Sequence, residues 1–166
     1  IYKISAFGKN EGEGMLWIWA KNADNISITG KGCIHGNGIS FMGKELGDSY
    51  ELKPVTTFDS RPHVLSLTDV RNLTIKDVTI REGAYWTVHL IGCDGAVIDG
   101  INSLNNLKIR NGDGIDIDHS KNIRIANCHI TSGDDAICLK NRREFEQYGS
   151  CHDIVVTNCV MASRSC

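Results

Sequence analysis

The chain has 166 residues, 41% of them hydrophobic and 23% charged, with a formal net charge of -2; this is ordinary globular composition and enough for one core in one domain, residues 1–166. Charges of both signs are interspersed rather than blocked, which removes the electrostatic case for nucleic acid or an anionic membrane as a partner. No stretch approaches the ~20 apolar residues that span a bilayer, and residues 1–14 lack the basic start and apolar run of a secretory signal.

In chain order, five segments share one frame: NISITG (25–30), NLTIKD (72–77), GAVIDG (95–100), NIRIAN (122–127) and DIVVTN (153–158). Each opens and closes on Asn, Asp or Gly around an alternating, partly β-branched stretch, so each is read as a strand between two corners. The starts lie 47, 23, 27 and 31 residues apart, and the doubled first gap suggests a less regular turn between the first two units. No window keeps a helical stripe, so crossover helices are absent from the pattern. Short strands at this spacing with glycine-rich corners predict an all-β, right-handed parallel β-helix in which each unit is one turn; a β-sandwich normally needs closer hairpin spacing.

A second register of strands, TVHL (87–90), GIDI (114–117) and AICL (136–139), repeats at 27 and 22 residues. Stacked, these point Val88/Leu90, Ile115/Ile117 and Ile137/Leu139 into the coil and His89, Asp116 and Cys138 out of it. Asp118 and Lys140 become neighbours one rung apart, read as an exposed ion pair. Asn25, Asn72 and Asn122 share one corner and suit an amide ladder; that two of them open N-x-S/T triplets follows from the repeat. The seven cysteines form no C-x-x-C pair, and Cys93, Cys128 and Cys159 fall at similar places in the repeat, which favours buried thiols over a disulfide framework.

The acidic segments NGDGIDID (111–118) and SGDDAICLK (132–140) lead into the second register. Matching Ile115 with Ile137 sets Asp113 level with Asp135 on adjacent rungs ~4.8 Å apart, with Asp134 beside them. Gly-Asp is an ordinary turn dipeptide, but Ser or Asn would turn the chain equally well without mutual repulsion. Three carboxylates in register therefore point to chemistry, and like charges that close should leave at least one with a raised pKa. Strict alternation gives Asp113 and Asp135 inward parity, so Gly112 and Gly133 are expected to supply a bend that turns them outward. A protonated acid facing carboxylates that activate water is the arrangement of glycoside hydrolysis. Tyr85, Trp86 and His89 lie one coil earlier and either line sugar subsites or pack the corner. Arg142 and Arg143 follow the acidic strand and either meet a uronate carboxylate or form a solvated loop.

N-G-D-G-I-D followed by S-G-D-D and A-I-C-L-K resembles the paired N-T-D-G-I-D and G-D-D signatures of glycoside hydrolase family 28, the polygalacturonases and their pectin-degrading relatives. The likeness extends to Thr29-Gly30-Lys31-Gly32, Gly36-Asn37-Gly38, Arg61-Pro62 and Trp86-Thr87-Val88-His89. It implies Asp134 as general acid, Asp113 and Asp135 activating water for inverting hydrolysis of an acidic pectic polysaccharide, no metal or other cofactor, and a secreted or periplasmic setting. The chain departs from the family pattern at Gly112, where the family usually has Thr, and at His35, where it has Asp. Ser165 falls near the place of the family's G-H-G histidine, and its R-x-K motif would lie beyond Cys166. Two other classes compete: a calcium-dependent β-helix lyase, with Asp116 and Asp118 as conceivable ligands, and a carbohydrate-binding β-helix without chemistry. Open coil ends expose unpaired strand edges, so this chain is expected to continue past its last residue and, alone, to self-associate.

Overall fold

A computed structural model describes residues 2–3, 15–55 and 61–165; Cys166 and most of the amino-terminal segment tested for a signal lie outside them. The described chain is a parallel β-helix whose strands stack in three ladders. The first ladder runs from Met15–Asp24 through Pro62–Lys76, Val88–Ile91 and Ile115–Asp118 to Ile137–Lys140. The second continues from Ser27–Thr29 through the later part of Pro62–Lys76, Asp94–Asp99 and Lys121–Ala126 to His152–Thr157. The third holds Cys33–His35, Thr79–Arg81, Asn102–Leu104, His129–Ser132 and Val160–Ser163.

The sequence repeat is the second ladder, and its inward positions form the core. Leu73, Ala96 and Ile123 stack in one column and Ile75, Ile98 and Ile125 in the next, all essentially sealed from solvent. Each such aliphatic side chain contributes ~1.5–3 kcal/mol by leaving water. The frame's Asn, Asp and Gly positions are corners that turn through the left-handed region: Asn25, Asn72, Gly95, Asn122 and Asp153 all have φ between 54° and 78°. Asn and Asp tolerate that conformation best among residues with a side chain. The amide ladder forms where two asparagines are adjacent, Asn72 donating to Asn25 at 2.6 Å. Where Gly95 interrupts it, Asn122 donates to Asp94 instead, at 2.7 Å. A second ladder at the opposite corner links Asn158 to Asn127 and Asn127 to Asp99.

Two readings of the repeat need correction. The 47-residue first gap is a single rung, since Ser27 pairs directly with Thr74 and Ile28 with Ile75. The surplus residues leave the coil as a short 3₁₀ turn, Gly38–Phe41, and an antiparallel hairpin of Met42–Glu45 with Leu52–Pro54. The three cysteines also do not share one column. Cys93 stands one residue before Asp94, level with Ser120 and Cys151, whereas Cys128 and Cys159 stand one residue before the third ladder. The thiols are free among the described residues, and burial pushes those of Cys93 and Cys128 up to about 11.

Candidate active site

Asp113 and Asp135 enter from the turns that precede two strands of the first ladder. Ile115 pairs with Ile137, and the amide of Thr87 donates to the Asp113 carbonyl as the amide of Gly114 donates to that of Asp135, both at 2.9 Å. Trp86 and Thr87, Asp113, and Asp135 thus occupy three successive rungs, as the 27- and 22-residue spacings require. Asp134 is anchored separately. Its Oδ2 accepts from the backbone amide of Asn111 at 3.2 Å and from the Asn111 side chain at 3.4 Å. Its carbonyl accepts from Ser132 at 2.7 Å. Asn111 reaches it by turning through a left-handed φ of 54°.

Gly112 and Gly133 act differently from the expected bend. Both have ordinary negative φ, and their role is closeness: a Cβ on Gly112 would lie 2.7 Å from the Ile109 carbonyl, and one on Gly133 would lie 2.3 Å from it. The segment carrying Ile109 therefore presses against both acidic turns. This also accounts for Gly112 in place of threonine.

Burial separates the three acids. Asp113 is 2% exposed, while Asp134 and Asp135 are half-buried. Burial raises the Asp113 pKa, the nearby Asp134 charge adds to the rise, and Lys140 and Asp116 oppose it. Asp116 is fully buried, and burial together with the Asp113 charge drives its pKa well above the usual carboxylate range. Lys140 stands between them, its Nζ 3.0 Å from Asp116 Oδ1 and 3.4 Å from Asp113 Oδ2. Burial alone would lower the lysine pKa; the two carboxylates raise it instead.

This replaces the expected surface pair of Asp118 with Lys140. The two are register partners, but the flexible lysine stem carries the ammonium back along the strand to Asp116, and its side chain is only 17% exposed. Asp118 is instead engaged by His89, whose Nε2 lies 3.5 Å from Oδ2, and by the Arg142 backbone amide, which donates to Oδ1 at 3.1 Å.

The outward face of this ladder is not a solvent face. His89 and Asp116 point away from the apolar core as their parity dictates, yet both are fully buried under a second layer. That layer contains Tyr85, Trp86, Ile91 and Phe145, with Tyr148 beside them. His63, absent from the sequence reading, lies 5.1 Å from both Tyr85 and Trp86 and stacks on His89 at 5.3 Å. Lys140 sits 4.4 Å from the centre of the Trp86 ring, and the Arg142 guanidinium 5.5 Å from it. Tyr85 and Trp86 therefore pack the corner, and His89 holds Asp118. Burial keeps the His89 pKa low despite the Asp118 charge. Arg143 is exposed and Arg142 half-buried, on the segment that includes the 3₁₀ stretch Arg143–Tyr148. His119 fastens this segment, its ring nitrogens facing the carbonyls of Gly149 and Arg142. At position 35 the histidine Nδ1 accepts from the Asn37 amide at 3.1 Å, as a turn-forming carboxylate would. Ser165 stands 31 residues after Asp134, the same offset as the pairing of Ser132 with Ser163.

Residues 3–163 match the family model described as glycosyl hydrolases family 28. Among curated proteins, a probable polygalacturonase of Vitis vinifera is 27% identical over 90% of this chain and 29% of its own length. An exopolygalacturonase of Oenothera organensis is 30% identical over 76% of this chain and 34% of its own. The chain thus spans about a third of such relatives or less. A polygalacturonase structure from Erwinia carotovora superposes with a TM-score of 0.71 at 26% identity, covering 90% of this chain and 40% of that one. An exopolygalacturonase from Thermotoga maritima gives 0.73 at 20% identity, covering 92% and 41%, and shares the fold.

Proposed function

The chain belongs to glycosyl hydrolases family 28, and we propose that it carries the acid/base site of an enzyme that hydrolyses an acidic pectic polysaccharide with inversion. The observation that supports this most is the pairing of Asp113 with Asp135 on adjacent rungs beside an Asp134 held by Asn111. Asp134 serves as general acid, giving its proton to the glycosidic oxygen as the bond to the anomeric carbon breaks. A water attacks that carbon from the opposite face and loses its proton to Asp113 or Asp135. Arg142 and Arg143 are the cations offered to a uronate carboxylate, and the setting is secreted or periplasmic.

In a calcium-dependent lyase, Asp116 and Asp118 are the conceivable ligands. Asp116 already faces an ammonium at 3.0 Å, and Asp118 faces His89 and the Arg142 amide. Both carboxylates are turned to groups of the protein itself. The deciding experiment is a product screen of the full-length protein on homogalacturonan and rhamnose-containing pectins. Hydrolysis yields new reducing ends, no ultraviolet-absorbing unsaturated product and no loss in chelator. Unsaturated products, or activity that chelator abolishes, would assign the site to a lyase. Binding without turnover would remove the chemistry altogether.

A further inference from the structure

Asp113 faces a conflict. To act as a base it must be ionised, yet it is 2% exposed. Three residues on, Asp116 has no exposed surface at all. Two carboxylates buried this close cannot both be ionised without a compensating cation.

That cation is Lys140. Its ammonium is within ion-pair distance of both carboxylates, at 3.4 Å from Asp113 and 3.0 Å from Asp116. It rests on the Trp86 ring at 4.4 Å, a contact that favours a cation and fixes its position. The surrounding charges leave the arrangement intact. Cys138 lies near both Lys140 and Asp135, and Arg142 shares the Trp86 ring at 5.5 Å. His89, the register partner of Asp116, is turned to Asp118.

We propose that Lys140 is a positioning residue for the hydrolytic site: seated on Trp86, it bridges Asp113 and Asp116 so that Asp113 stays a carboxylate beside its buried neighbour. The proposal rests on the reading of the site as hydrolytic and adds to it a charge bridge of three groups, Asp116, Lys140 and Asp113. The sequence motif hides this, because the lysine sits opposite Asp118 and reaches back.

The sign of the effect follows from the charge. Without the ammonium, ionised Asp113 is less stable and gives up its proton at higher pH. In Lys140→Gln the acidic limb of the kcat/KM profile should move up by ~1–3 pH units, with kcat affected more than KM, and Lys140→Arg should restore much of the wild-type limb. Carboxyl ¹³C NMR of the full-length protein supplies a readout independent of turnover. In the wild type, Asp113 and Asp116 should titrate as one coupled pair in two steps, and Lys140→Gln should shift the Asp113 step upward. An unmoved acidic limb in Lys140→Gln, with wild type active and Asp134→Asn inactive, would overturn the role of Lys140 and leave the hydrolytic reading standing. If the glutamine variant does not fold, the wild-type spectrum decides, and Asp113 titrating singly, uncoupled from Asp116, overturns the proposal. A wild type that cleaves no pectic polymer overturns the hydrolytic reading and the proposal with it.

Discussion

Gly133 has no room for a methyl group. A Cβ there would meet the carbonyls of Ile109 at 2.3 Å and Asn106 at 2.7 Å, both backbone atoms that cannot swing aside. Because Asp134 follows directly, this contact fixes the direction in which the acid leaves its turn. Gly133→Ala should therefore destabilise the protein by ~1–3 kcal/mol, read as a lower urea midpoint, and should depress activity beyond what the stability loss explains; an unchanged midpoint would show that the segment yields. At this scale the sequence was informative about identity and less so about environment. The register of Asp113 with Asp135 followed from counting residues between apolar pairs. The placement of Lys140 did not, because alternation tells which face a side chain takes but not how far a flexible stem leans along it. The burial of His89 is hidden for a related reason: outward parity does not reveal that Phe145, 56 residues later, packs over the face.

The strands show the same division. Corner residues with left-handed φ were visible as the Asn, Asp and Gly frame, because few other residues tolerate that backbone. The doubled first gap was not decipherable, since an insertion on one rung and an extra rung leave the same count in the sequence. Pairing settles it: Asn25 and Asn72 touch, and the described residues between the neighbouring rungs form an outlying turn and hairpin. The hairpin packs on the segment behind the acidic turns, Leu52 donating to the Lys108 carbonyl at 2.8 Å and Lys108 pairing with Glu45 at 2.6 Å. The exposed Glu45 pair adds ~1 kcal/mol or less. Replacing residues 42–54 by a short turn should then keep the β-sheet signal in far-ultraviolet circular dichroism, since no rung is removed. Loss of that signal would show that the extension is part of the coil.

Across the whole molecule, three ladders wrap one aliphatic core, and a second, aromatic layer covers the outward face of the first ladder. The core explains why the architecture could be read from periodicity alone: every inward position repeats at each rung. The aromatic layer escaped that reading because its members, His63, Tyr85, Trp86, His89 and Phe145, come from different rungs and a loop with no shared spacing. Between the two layers lie the buried charges, and the acidic turns lead into Ile115–Asp118 and Ile137–Lys140. The central claim is that this corner is a hydrolytic site with Asp134 as its acid. It is tested most directly by release of reducing ends from homogalacturonan by full-length Asp134→Asn, alongside circular dichroism. Asparagine retains an oxygen for the Asn111 contacts but has no proton to give. The account predicts an unchanged spectrum and a fall in rate of ~10²- to 10⁴-fold; a folded variant hydrolysing within a few-fold of wild type would contradict it.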